Sequence, residues 1–252
     1  MPDILVVGLS AHDSVNHAYG AESRLSHDHM LHLDRALQDF FAWLDANVGR
    51  DRYVAALTAD HGFMPAPEYV GAAGGAAGGR FNSAQLDMKL KRVLARFGQG
   101  PFVRFVTSRG VTLDRETIAA RGAVFDEVAE AVRQAALTEP WVAAAYTRAE
   151  LESKSRMGDP FFEPMVKAFY PELSNDVAIA PKRLWMPGNT GATHGSPYEY
   201  DTHVPILLYG PAWMRAGRRD ARVEVADIAP TLAQILGIPA PAASEGRPLP
   251  LR

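Results

Sequence analysis

Three short stretches of this sequence hold residue types able to bind a divalent cation. Asp13 and His17 stand four apart after an apolar run at residues 4–9, so one helical turn or one tight loop can aim both at a single point. Asp60 and His61 are adjacent and follow a second apolar run at residues 53–58. His194 is followed by Gly195 and lies ahead of a third run at residues 204–211. Carboxylate oxygen and imidazole nitrogen are donors of catalytic zinc sites, which keep one position open for substrate. The sequence has no cysteine, so any metal here is held by N and O donors alone. Each stretch also has a plainer reading, in which the Asp60 carboxylate caps the next segment and His17 bonds to nearby backbone. Their company in one chain favours a metal.

For a third ligand His194 is preferred to His203. Gly195 and small neighbours let the backbone at His194 fold tightly around an ion, whereas His203 stands two residues before Pro205 and suits bracing a loop. His12, next to Asp13, points elsewhere and reads as an orienter or a surface residue. His27, His29 and His32 fall in the early turns of a helical stretch beside Asp28 and Asp34, the composition of a solvated polar face. A glycine-rich run at residues 71–79 lacks the Gly-Lys-Ser/Thr of a phosphate loop and has no strand directly before it, so it reads as a lid or a linker. Arg80 closes that run and is a candidate for contacting an anionic substrate, with plain solvent exposure as the other reading.

The elements that must position these residues are legible in the apolar spacing. Residues 4–9 and 53–58 read as buried strands, the second delivering Asp60 and His61 to its carboxyl end, where open α/β sheets keep their chemistry. Residues 24–48 follow helical spacing through Leu33, Leu37, Phe40, Phe41, Leu44 and Val48 and stop at Gly49, as a core helix packing on the sheet. Helix is expected over 83–97, from 114 through Val124, Val128 and Val132, and over 223–237; strand is expected over 102–106, 141–146, 176–187 and 204–211. Thr147 and Glu150 have the spacing of a capping box. Residues 81–172 carry no ligand constellation and read as an accessory α+β insertion within a single domain over 1–252.

Composition narrows the function. With 47% hydrophobic residues the chain can bury a large core, and with a net charge of −3 and dispersed Lys and Arg it lacks the basic stripe of a nucleic-acid binder. No apolar run is long enough to span a bilayer, and the chain opens directly into a strand pattern without a basic leader.

The blocks Ser-Ala-His-Asp13-x-x-x-His17-x-Tyr-Gly, Thr-Ala-Asp60-His61-Gly, Thr-His194-Gly-Ser-Pro-Tyr-x-Tyr-Asp201-x-His-Val-Pro and Asp227-Ile-Ala-Pro-Thr-Leu resemble the alkaline phosphatase superfamily. More narrowly, they resemble the branch that joins monomeric bacterial alkaline phosphatases to the type I phosphodiesterases and nucleotide pyrophosphatases. The resemblance implies an α/β fold, a three-layer αβα sandwich with a mostly parallel central sheet, of which this chain lacks the N-terminal part. It implies two zinc ions. Asp13, His17 and His194 would hold one, and Asp60 and His61 would help hold a second, incomplete here. In that family a Thr or Ser nucleophile and a further acid lie upstream of the block matched by Asp13; Ser10 and Ser14 adjoin the block but do not match the nucleophile's place. The implied function is a zinc-dependent phosphoester hydrolase, phosphatase or phosphodiesterase, present as its C-terminal portion without the nucleophile. The alternative is a catalytically inactive metal-binding or partner-binding remnant of the same fold. The implied partners are a phosphate ester and the missing N-terminal portion, and the implied location is the periplasm or the outside of the cell. The absence of cysteine leaves no precursor for a formylglycine and argues against a sulfatase.

Overall fold

The computed structural model describes residues 3–76 and 78–251; Met1 and Pro2 of the opening segment, Ala77 of the glycine-rich run and Arg252 lie outside them. In chain order the elements are α1 (Ala11–Tyr19), α2 (Arg24–Leu44), β1 (Ala55–Thr58), α3 (Pro67–Ala72), β2 (Gly79–Phe81), α4 (Ser83–Leu94), β3 (Val103–Thr107) and β4 (Gly110–Leu113). Then come α5 (Arg115–Ala120), α6 (Phe125–Leu137), β5 (Val142–Thr147), α7 (Arg148–Ser153), α8 (Phe162–Ala168), β6 (Val177–Pro181), β7 (Trp185–Pro187), α9 (Glu199–Thr202), β8 (Ile206–Tyr209) and α10 (Ile228–Leu236). The chain divides into two compact units, one of residues 1–15, 23–62 and 203–252 and one of residues 16–22 and 63–202. The division falls inside α1.

In the first unit β1 pairs antiparallel with β8, from Ala55 opposite Tyr209 to Thr58 opposite Ile206. The Ser23 hydroxyl caps α2 by accepting from the Ser26 amide at 3.0 Å. Phe41 of α2 meets Tyr53 and Tyr209 with ring centroids 6.4 and 5.9 Å away, an aromatic cluster over the strand pair. The expectation of a core helix over α2 does not hold: none of its apolar side chains is buried, Leu33, Leu37, Phe41 and Leu44 being only half-buried. Leu25, Met30, Leu31, Phe40 and Trp43 are exposed. Residues 4–9 form no strand among the described residues, and Val6 is 88% exposed. A strand buried on both faces needs a neighbour on each side and cover above and below. The sheet containing β1 offers only β8 among the described residues.

The second unit is built around a four-stranded antiparallel sheet in the order β3-β4-β6-β5. Leu86, Leu90 and Leu94 recur every four residues on α4, and Val128 and Val132 do so on α6; all are buried in one cluster with Val111, Trp141 and Ile179 of the sheet side. Each such leucine contributes about 1.5–3 kcal/mol by leaving water. The helices start where side chains cap them: Asn82 accepts from the Ala84 amide, Asp114 from the Thr117 amide, and Thr147 and Glu150 form the expected capping box. Residues 176–187 do not run as one strand, because Leu184 adopts a φ of 62° and turns the chain between β6 and β7. β7 pairs parallel with β2. Beside that pair Met64, Leu184, Met186 and Ala192 form a second buried cluster, which anchors the segment leading to His194.

Candidate metal centre

His17, in the second unit, is held at both its main chain and its ring. Its carbonyl accepts from the Gly191 amide at 2.9 Å, and its Nδ1 lies 3.0 Å from the Ala192 carbonyl. A carbonyl only accepts, so this bond requires the proton on Nδ1 and leaves Nε2 with its lone pair in the neutral ring. That nitrogen faces His194 Nε2 at 3.2 Å. Two donors on one tetrahedral zinc, each roughly 2.0–2.1 Å from the ion, stand about 3.3 Å apart, so the pair has the spacing of two ligands. Phe63 packs edge-on to both rings, with centroids 5.1 Å from His17 and 5.2 Å from His194, and limits their rotation. Thr190 Oγ1 lies 2.6 Å from the Ala192 carbonyl and 3.1 Å from that of His17, so its one proton is shared between the segment's own turn and α1. The approach is close enough to require glycine at 191, where a Cβ would stand 2.8 Å from the Ala18 carbonyl oxygen.

Asp13 belongs to the same helix as His17, four residues earlier, so α1 itself sets both on one face. In the first unit His61 Nε2 lies 3.7 Å from Asp13 Oδ1 and 3.6 Å from Asp60 Oδ2. His61 Nδ1 is 2.9 Å from the Gly62 carbonyl, which again puts the proton on Nδ1 and turns the lone-pair nitrogen toward the carboxylates. The Asp60 side chain is 89% exposed. In the first unit the pinned His61 ring and the Asp13 and Asp60 carboxylates, with no thiolate, are donors that fit zinc, and in the second the two facing imidazoles are such donors as well.

The remaining candidates fall elsewhere. Arg80 donates to both Glu68 oxygens, at 2.6 and 3.1 Å, and to the Thr190 carbonyl at 2.6 Å. Its bond holds the Glu68 carboxyl below the usual carboxylate range. The guanidinium thus braces, from behind, the turn that grips His17. His203 is exposed, with no hydrogen bond among the described residues. His12 and His29 stack with Nδ1 atoms 3.2 Å apart, and burial together with His29 holds the His12 ring below its ordinary value. His32 sits 3.7 Å from Asp28 on the solvated face of α2. Phe63, Thr190 and Ala192 were not distinguished by sequence reasoning, since an apolar ring, a hydroxyl and a backbone carbonyl carry no ligand signal.

Residues 1–197 match the family model described as type I phosphodiesterase / nucleotide pyrophosphatase. The chain belongs to that family. This phosphodiesterase-family chain is 29% identical over 250 residues to the alkaline phosphatase PafA of Elizabethkingia meningoseptica, covering 98% of itself and 45% of PafA. The crystal structure of wild-type PafA superposes with a TM-score of 0.87 at 28% identity, over 96% of this chain and 46% of that one. The alkaline phosphatase PhoK of a Sphingomonas species is 32% identical over 255 residues, 95% of this chain and 44% of PhoK. A Myroides odoratus protein named as a calcium-transporting ATPase is 31% identical over 252 residues, 98% of this chain and 45% of that protein. The family chain therefore has the α/β fold of the alkaline phosphatases and spans about half the length of these relatives. Among the described residues no helix is long and apolar enough to cross a membrane.

Proposed function

We propose that this chain is the C-terminal portion of a zinc-dependent phosphoester hydrolase acting on a phosphomonoester or phosphodiester. Asp13, His17 and His194 hold one zinc, and Asp60 and His61 contribute to a second whose remaining ligand, like the nucleophile, comes from the other half of the family fold. The observation that carries this reading is the His17–His194 pair, whose Nε2 atoms face each other at 3.2 Å with the His17 tautomer set by the Ala192 carbonyl. When bound, zinc supplies Lewis-acid stabilisation of the charge on a phosphoryl oxygen. The protein's own part is to orient the imidazoles and keep their ligand nitrogens deprotonated. The accessory α+β layer at residues 81–172 shapes the rim of the site, and the whole enzyme works in the periplasm or outside the cell, as the family resemblance implies.

Elemental analysis of protein purified without chelator tests the reading. Close to one zinc per chain is expected, falling below a tenth of that in His194→Ala, with phosphate-ester turnover low in both. A His194→Ala protein that keeps its zinc would overturn the ligand assignment. Robust turnover by this chain, abolished in Asp60→Ala, would show instead that it carries a complete catalytic set.

A further inference from the structure

The geometry points to Arg109 as the residue that binds the anionic oxygens of a phosphate group held at the His17–His194 edge. This assignment rests on the reading of those histidines as metal ligands and adds the cation that grips the substrate.

Arg109 stands at the tip of the β3–β4 hairpin, whose last pair is Thr107 opposite Gly110. The tip is a fixed mount. The Arg109 amide donates to Thr107 Oγ1 at 3.2 Å, and the Arg109 carbonyl accepts from the Ile179 amide at 2.8 Å, which ties the turn to the central strand β6. From this mount the side chain reaches the segment carrying the histidine pair, with Nη2 3.4 Å from the His194 carbonyl. The guanidinium lies across Gly195: a Cβ there would stand 2.5 Å from Nη2, 2.9 Å from Cζ and 3.3 Å from Nε. Gly195 also has a φ of 91°, so two separate facts keep a side chain out of the place that the guanidinium occupies.

What Arg109 lacks is a counter-charge. Among the described residues no carboxylate forms an ion pair with it, and the one hydrogen bond of its guanidinium goes to a neutral carbonyl. Arg80 is the opposite case, with its charge matched by Glu68. Guanidinium has five N–H donors in a planar fork that fits two oxygens of a phosphate. With one donor resting on the His194 carbonyl, the others remain for an anion, and the side chain is exposed to meet one. A phosphate bound through zinc at the two imidazoles would present its other oxygens beside the residue on which this cation rests.

Titrating inorganic phosphate into the zinc-loaded chain, with zinc content measured in parallel, tests the assignment. Arg109→Ala and Arg109→Gln are each expected to weaken phosphate binding about 10-fold or more, the scale of a charged hydrogen bond, with zinc content and melting temperature unchanged. Arg109→Lys is expected to recover part of the affinity, since it restores the charge without the fork. Phosphate affinity within twofold of the wild type in the glutamine variant would overturn the proposal. So would zinc loss in either variant, which would make Arg109 a brace for His194. Wild-type protein that takes up no zinc at all would sink the metal reading, and this assignment with it, before phosphate is added.

Discussion

His17 shows how much of a candidate ligand's behaviour is set by atoms that carry no signal in a sequence. Its type and its spacing from Asp13 were readable, and it is His194, the residue preferred to His203, that the structure places 3.2 Å from it. Its tautomer was not, because it depends on the Ala192 carbonyl, 175 residues away in the chain. Arg80 was readable as a cation at the end of a glycine-rich run, but its partners Glu68 and Thr190 come from other elements. The expected consequence is structural. Arg80→Ala should lower stability in urea by about 1–2 kcal/mol, the range for losing charged hydrogen bonds on a partly exposed side chain. It should change phosphate affinity of the zinc-loaded chain by less than about threefold. Lost phosphate binding with unaltered stability would return Arg80 to the substrate.

Helix starts in the second unit followed their sequence signals, because capping and four-residue spacing are local, although the segment expected to run from Asp114 through Val132 breaks at Gly122, with a φ of 63°, into α5 and α6. Asn82, Asp114 and Thr147 each cap the helix that the sequence places after them. Strand pairing is not local. Within residues 176–187 a turn closed by the Trp185 amide on the Lys182 carbonyl separates β6 from β7, and it takes a positive φ at Leu184, which that residue type does not advertise. The buried Asp176, just ahead of β6, ties three other elements together. It accepts from the Leu113 amide at 2.9 Å, from Arg115 at 2.6 Å and from Arg148 at 3.2 Å, joining β4, α5 and α7. Its removal would leave a buried amide and two cations without their shared acceptor. Asp176→Ala is therefore expected to cost about 3 kcal/mol, read as a shift of the urea midpoint at constant slope. A cost below about 1 kcal/mol would show that water replaces the carboxylate without loss.

At the scale of the whole chain, burial is uneven. All three buried apolar clusters consist of residues of the second unit, whereas the first exposes Ile4, Leu5, Val6, Val7 and Trp43 at 57–88%. The apolar run at 4–9 was legible; that it lacks a strand partner here was not, because a sequence records what a segment can pair with and not which partners are present. Relatives about twice as long share this fold, and an uncovered apolar face is what a portion of such a fold exhibits. In this chain Val6→Lys should alter stability by less than about 0.5 kcal/mol, as for any exposed position, and should reduce binding of a hydrophobic dye. A loss above about 2 kcal/mol would show that residue 6 is packed in solution.

The grip of residues 190–192 on His17 has a kinetic side. Main chain and ring are both tied before any ion arrives, so the loss of conformational freedom belongs to folding and not to metal capture. A pair of ligands set in this way receives an ion as a rigid cleft does. At the proposed zinc site uptake is then expected to proceed as a single encounter, its rate rising in proportion to metal concentration with no slow rearrangement to cap it, and release is expected to be governed by the metal–ligand bonds, that of Asp13 included.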